Sequence, residues 1–255
     1  MAIERIKIFE PQEGYYLAFS GGKDSVVIKA LADMAKVKYD AHYNVTSVDP
    51  PELIYFIKEK HKDVIFEKPR YKDGRQITMW NLIPAKKMPP TRIIRYCCEY
   101  LKEGGGEGRF VITGVRWAES NKRRNSRGGL ELATRNKHKR KIEDPDNHSN
   151  EQITRICPQK GKHILNPIID WTDEDVWEFI KKYNIPYCKL YDKGYKRLGC
   201  IGCPMSNNKK EELEAYPAFK KAYLKAFEKM LEATRKSKNA SWQTAEDVMK
   251  WWISM

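Results

Sequence analysis

With 255 residues the chain is long enough to bury a sizeable core in one large α/β domain. Lys and Arg total 48 against 34 Asp and Glu, and the resulting net charge of +14 suits a polyanionic substrate or partner, although such charge also simply aids solubility. Residues Met1 to Lys7 alternate charged and apolar side chains without the apolar core of a signal peptide, and no later run is long enough to span a bilayer. The expectation is a cytoplasmic protein without membrane contact, in which the six cysteines are metal ligands or reactive thiols rather than disulfides.

Tyr15 to Phe19 reads as a buried strand, and Val26 to about Lys36 as a helix. Between them stands Ser20, Gly21, Gly22, Lys23, Asp24, Ser25. In a strand-to-helix turn two glycines let the backbone approach a ligand, and the first helical turn supplies N–H groups and the positive end of a dipole. Ser20 and Ser25 add hydroxyls and Lys23 a charge, so the favoured guest is a phosphate group. Neither G-x-x-x-x-G-K-[ST] nor G-x-G-x-x-G occurs here, and a plain glycine turn capped by Ser20 or Asp24 is the competing reading.

Ala41 to Val48 predicts a second strand, Glu52 to Lys60 a helix, Asp63 to Phe66 a third strand and Thr78 to Ile83 a helix. This alternation predicts a doubly wound, mostly parallel sheet, whose ligands sit at the carboxyl ends of the strands. Thr91 to Lys102 reads as a helix carrying Cys97 and Cys98, closed by Gly104 to Gly106, and Arg109 to Val115 as a strand. Arg116 at its end is placed to meet a phosphate at the first turn or, as a surface residue, to pair with Glu119.

From Lys122 to Lys141 the chain is strongly basic with Glu131 as its one acid, and it reads as a mobile surface loop extending to Glu151. The 122–141 run could hold a phosphate or a nucleic-acid backbone, but it has no aromatic residue for base stacking. His163 to Ile169 predicts a strand, and Thr172 with Asp175 a capping box opening a helix whose apolar face is Val176, Trp177 and Ile180. Leu213, Tyr216, Phe219, Tyr223, Phe227, Met230 and Leu231 recur at helical spacing, with Trp251 to Ile253 packed beneath them. The expected division is a nucleotide-binding domain over 1–204, including the basic loop 122–151, and a C-terminal helical extension over 205–255.

Cys200 and Cys203 form a C-x-x-C turn able to aim two thiolates at one centre, with the adjacent pair Cys97 and Cys98 far upstream. Four sulfur ligands suit Zn²⁺ or a 4Fe-4S cluster, and C-x-x-C alone leaves a metal centre and a redox dithiol equally open. Cys157 and Cys188 are read by default as buried inert thiols.

Several ordered blocks resemble the phosphoadenosine phosphosulfate (PAPS) reductase family of the adenine nucleotide alpha hydrolase, or PP-loop, superfamily: Ser20 to Ser25, Thr113 to Arg116, Asn166 to Trp177 and Leu190 to Tyr195. The resemblance runs from about Tyr15 to Ser206. It implies a Rossmann-like core of five strands and an adenine nucleotide (ATP, APS or PAPS) at the first turn, with chemistry beside its α-phosphate. Ser20, Gly21, Gly22, Lys23, Asp24 and Ser25 match the phosphate motif, and Gly114 and Arg116 the second glycine-arginine motif. Lys23 and Arg116 are thereby implied as the catalytic cations, with Mg²⁺ if ATP is the substrate. Cys97, Cys98, Cys200 and Cys203 resemble the set that ligates a 4Fe-4S cluster in adenylyl sulfate (APS) reductases and DndC-type DNA phosphorothioation proteins.

One departure bears on the reaction. The assimilatory reductases of the family attack sulfur with a cysteine near the C-terminus, and this chain has none after Cys203. Reduction would need Cys157, Cys188 or a partner's thiol. The favoured expectation is therefore an ATP pyrophosphatase that adenylates an acceptor before sulfur transfer, served by a thiol or sulfur-donor protein and conceivably acting on nucleic acid. APS or PAPS reduction is the first alternative and a nucleotide-responsive nucleic-acid-binding module without turnover the second. A homo-oligomer stays open.

Overall fold

The computed structural model describes residues 1–133, 140–143, 146, 162–235 and 242–255. These divide into two compact units, one of residues 1–43, 52–67 and 105–198, the other of 44–51, 68–104 and 199–255. The C-terminal helices thus share a unit with two earlier segments of the chain.

The first unit is built on a seven-stranded sheet of β1 (Tyr15–Ala18), β2 (Tyr39–Asn44), β3 (Ile65–Glu67), β4 (Phe110–Ile112), β5 (Leu130–Ala133), β6 (Arg140–Glu143) and β7 (Lys162–Leu165), in the spatial order β3-β2-β1-β4-β7-β5-β6. β1 pairs in parallel with β2 and β4, and β4 in parallel with β7. Tyr15, Tyr16 and Leu17 are all buried, as expected of a central strand covered on both faces. The helix Lys23–Ala35 leads from β1 to β2, whereas β4 lies on the other side of β1, so the chain reverses its winding between β1 and β4. In open α/β sheets that switch point is where ligands bind.

The helix Lys23–Ala35 buries Val26, Val27, Ile28, Leu31 and Ala32, each larger side chain contributing roughly 1.5–3 kcal/mol. It packs against the helices Ala2–Ile8 and Asp173–Lys182. The latter opens with the expected capping box, Thr172 Oγ1 accepting from the Asp175 N–H and Asp175 from the Thr172 N–H. It buries Val176 and Ile180, with Trp177 half-buried.

The basic stretch departs from its expected form. Residues Asn121–Ser126 form a helix capped by Ser120, and β5 and β6 form an antiparallel pair that adds to the edge of the five strands β3-β2-β1-β4-β7. Basic composition masked a period of two at Leu130, Glu131, Leu132, in which Leu130 enters the core. Glu131 is fully buried because Arg127 Nε (2.7 Å), Asn166 Nδ2 (2.9 Å) and the Gly128 N–H (3.2 Å) all donate to it.

The second unit is helical, with Met79–Lys86, Tyr96–Leu101, Lys209–Ala215, Pro217–Thr234 and Ala245–Ser254 around a core of Ile83, Tyr223, Phe227, Met230 and Trp252. Two further boundaries differ from expectation. The helix bearing Cys97 starts at Tyr96 rather than Thr91, because Thr91 forms a turn in which its hydroxyl accepts from the Ile93 and Ile94 N–H groups. β2 ends at Asn44 and not Val48, since Ser47 takes a left-handed φ of 66° and Thr46 Oγ1 donates to Asp49 at 2.6 Å. No described helix is long and apolar enough to cross a membrane.

Candidate functional site

The turn after β1 is shaped by Gly21, whose φ of 72° lies in the left-handed region and whose Cβ would come within 2.7 Å of Leu53 Cδ1 and 2.8 Å of Ile57 Cδ1. Gly22 is the N-cap of the helix Lys23–Ala35. Ser25 Oγ donates to the Gly22 carbonyl at 2.9 Å, and Ser20 Oγ lies 3.3 Å from Ser25 Oγ. The Gly22 N–H donates to Ser20 Oγ at 3.4 Å and the Lys23 N–H to the Tyr191 hydroxyl at 2.9 Å. Two amides of the turn are thus engaged by side-chain oxygens, whose places the oxygens of an anion would have to take. Tyr191, held edge-on to Trp177 at 5.1 Å, has its phenol pushed above the usual range by burial.

After β4 the Thr113–Arg116 segment reaches the same place. A Cβ on Gly114 would lie 2.9 Å from the backbone carbon and oxygen of Asp24, so only glycine lets this loop close on the helix start. Arg116 is 1 % exposed and is not a surface residue. Its Nε donates to Asp24 Oδ1 at 2.7 Å, Nη1 to the Trp171 carbonyl at 3.1 Å and Nη2 to Asp173 Oδ1 at 2.6 Å. The guanidinium does not make the surface pair with Glu119 that is the competing expectation; Glu119 Oε1 instead accepts from the Arg116 backbone N–H at 3.1 Å.

Lys23 joins the same network. Its Nζ lies 3.3 Å from Asp24 Oδ2 and 3.2 Å from Asp173 Oδ1. The two cations read from the sequence therefore meet as expected, and two carboxylates neutralise them. Burial pushes the Asp173 carboxyl up, but the Arg116 hydrogen bond and the Lys23 charge outweigh it and hold it below the usual carboxylate range. Asp173 and Tyr191 were given no separate role by the sequence. Their positions 150 and more residues downstream meet the turn only through the fold.

Cys188 is buried as expected, at 1 % exposed, and burial raises its thiol pKa, which disfavours the nucleophilic thiolate. Cys157 lies outside the described residues, as do residues 134–139 of the basic run. Of the described basic residues, Lys122 and Arg124 are exposed, while Arg123 and Arg127 are engaged by Glu119 and Glu131.

The second unit contains the other four thiols. Cys97 is buried in the core cluster with Cys98 and Cys200 packed against it. The Cys200–Cys203 turn closes with the Cys203 N–H donating to the Cys200 carbonyl at 3.1 Å, and it is seated by Ile201, whose N–H donates to the Val48 carbonyl (2.8 Å) and whose carbonyl accepts from the Tyr223 hydroxyl (2.9 Å). Gly202, with φ of 69°, packs so that a Cβ would meet Trp252 at 3.0 Å. The Cys97 thiol is raised first by its hydrogen bond to Cys98 and by burial, then by Cys200 and Cys203, so the four thiols share one electrostatic neighbourhood. Burial raises the Cys200 thiol to about 12, opposed by the Lys102 ammonium, while the bond from Cys97, followed by Lys102 and Arg95, pulls Cys98 down. An all-thiol donor set with a cation beside it suits a thiolate-bound centre. Among the described residues no three His, Cys, Asp or Glu side chains close around a single metal ion.

Comparison with known proteins decides the family. The phosphoadenosine phosphosulfate reductase domain matches residues 14–206. The chain belongs to that family. An uncharacterized protein of Methanocaldococcus jannaschii is 30% identical over 202 residues, covering 75% of this chain and 41% of the relative. The phosphoadenosine 5'-phosphosulfate reductase of Xylella fastidiosa (strain M12) is 36% identical over 72 residues, 28% of this chain and 30% of the relative. The matched stretch thus spans less than half the length of these relatives. The crystal structure of a PAPS reductase from Candida auris in a phosphate complex aligns with a TM-score of 0.48 at 16% identity, covering 78% of this chain and 87% of that one.

Proposed function

We propose that this member of the PAPS reductase domain family binds ATP at the Ser20–Ser25 turn and catalyses adenylation with release of pyrophosphate, preparing an acceptor for sulfur transfer. The observation that carries this reading is a phosphate-type turn at the sheet's switch point with the cations Lys23 and Arg116 beside it. Among the described residues the cysteine left over from the two pairs, Cys188, is buried. An attack on the α-phosphorus by the acceptor forms the acceptor–phosphorus bond and breaks the bridge to pyrophosphate, with no electrons exchanged. Amides of Gly21 and Gly22, the hydroxyls of Ser20 and Ser25, and the Lys23 ammonium meet the developing negative charge. Gly114 and Arg116 hold Asp24 in register, and Arg116 adds its positive charge to the turn. Mg²⁺ arrives as part of the nucleotide complex.

Cys97, Cys98, Cys200 and Cys203 are assigned to a 4Fe-4S cluster. Support comes from the all-sulfur donor set and from the Lys102 ammonium that acts on Cys98 and Cys200. Bound, it supplies either structural cohesion or electron or sulfur transfer. The exposed Lys122 and Arg124 suit a polyanionic acceptor, nucleic acid included. A second reading, APS or PAPS reduction to sulfite, is favoured by the naming of the Xylella relative, and it needs Cys157 or a partner's thiol.

The test is anaerobic incubation of the purified chain with ATP, APS or PAPS. Pyrophosphate release from ATP supports adenylation. Sulfite from APS or PAPS with a thiol donor, and none of the first product, replaces it with the reductase. DNA or RNA binding with neither product leaves a binding module.

A further inference from the structure

We infer that Asp173 is a specificity-determining residue of the Ser20–Ser25 turn: a displaceable carboxylate that occupies Lys23 and Arg116 until a phosphate group replaces it, and that grades affinity by the charge of the ligand. The inference rests on the reading of this turn as an adenine-nucleotide phosphate site.

Four charges meet at the turn, Lys23 and Arg116 against Asp24 and Asp173, and they balance. The two carboxylates are unequal. The Asp24 side chain is 23% exposed and sits on the helix that the turn itself begins, where Gly114 closes on its backbone. The Asp173 side chain is 62% exposed and comes from the first turn of another helix, yet it reaches both cations. Helix capping does not fix it there, because Thr172 and Asp175 perform that task. Its release into water frees the exposed carboxylate end of pairs whose cations are buried, so the incoming phosphate has to take over the charge on Lys23 and Arg116. Arg116, although buried, is not stranded when Asp173 leaves, since Asp24 and the Trp171 carbonyl still accept from it.

A ligand phosphate approaching the Lys23 ammonium must take the place of a carboxylate oxygen 3.2 Å away. While Asp173 remains beside the site its negative charge repels the ligand, more strongly for ATP than for AMP and not at all for adenosine. The chain thereby favours ligands able to repay that displacement with several contacts over those presenting one isolated anionic group.

The experiment is calorimetric titration of the full chain and of Asp173→Asn and Asp173→Glu with ATP, AMP and adenosine at low and moderate salt. Asp173→Asn is expected to bind ATP about fivefold tighter or more, in line with loss of one partly exposed ion-pair competitor. The gain is expected to be smaller for AMP, nil for adenosine and reduced by salt, while Asp173→Glu stays near wild type. ATP binding no tighter than wild type in the Asn variant, or an equal gain for adenosine, overturns the role of Asp173 alone. Absence of adenine-nucleotide binding by all three proteins overturns the reading of the turn and this inference with it.

Discussion

At the Ser20–Ser25 turn four charged side chains cancel in pairs, with Asp173 open to water and Arg116 sealed beneath it. In the other unit Cys97, Cys98 and Cys200 lie in or against an apolar core that holds Tyr223, Phe227 and Trp252, with the Lys102 ammonium beside Cys200. The first arrangement is complete without a ligand and must be opened. The second gathers sulfur donors beside a cation, the set proposed to hold the cluster. One site is thus proposed to be competed for by its ligand and the other to be completed by its ligand, and substitutions separate the two.

The largest expected effect is at the thiols. Cys200→Ser is expected to abolish the brown colour and visible absorbance of anaerobically purified protein while ATP binding persists; a colourless wild-type protein loaded with zinc under the same conditions would falsify the cluster.

Next is the backbone of the turn. Gly21→Ala forces a side chain into a left-handed position and onto Leu53 and Ile57, a destabilisation of about 2–4 kcal/mol by urea melts. An unchanged midpoint would mean that the turn adapts.

The first unit also carries an acid-sensitive group. His61, 7 % exposed between Phe19 and Phe56, has an Nε2 with no hydrogen-bond partner and a pKa pushed down to about 4, first by burial and then by Lys29. An unfolded histidine protonates near ~6.5. Above that pH the full contribution of neutral His61 is present. As pH falls toward the folded value the unfolded chain gains a proton that the native state refuses, and up to about 3 kcal/mol is lost. Melts between pH 7.5 and 4.5 should show this loss in wild type and a flatter profile in His61→Phe; parallel profiles would place the acid sensitivity elsewhere.

Lys23→Ala is expected to weaken ATP roughly 10- to 100-fold, the range for a hydrogen bond to a charged group, while leaving the absorbance of the thiol centre intact. The smallest effect is at Cys188, where Ala should cost about 1 kcal/mol of stability and leave turnover unchanged; loss of sulfite formation from APS in that variant would revive it as a nucleophile.

Much of the first site is legible in the sequence because it is local. Ser20 to Ser25 announces a strand-to-helix turn from six consecutive residues, and the Thr172–Asp175 capping box is set by a spacing of three. The partners of Arg116 are not legible, since Asp24 lies 92 residues away and Asp173 57, and only the return of β4 beside β1 brings them together. β5 escaped notice because charge dominated a stretch whose one acid, Glu131, is fully buried. The helical stripe from Leu213 to Leu231 was clear in period but not in its interruption at Tyr216, where Pro217 starts a new helix. The four thiols were visible as a composition, but the packing of Cys97, Cys98 and Cys200 with Tyr223 and Trp252 depends on contacts between distant parts of the chain.

The measurement that bears most directly on the central claim is pyrophosphate release from ATP by the anaerobically purified chain, compared with Lys23→Ala. Release by the wild type, falling at least tenfold in the variant, is the expected result. Sulfite from APS or PAPS with no pyrophosphate from ATP, under the same conditions and with a thiol donor present, would contradict it.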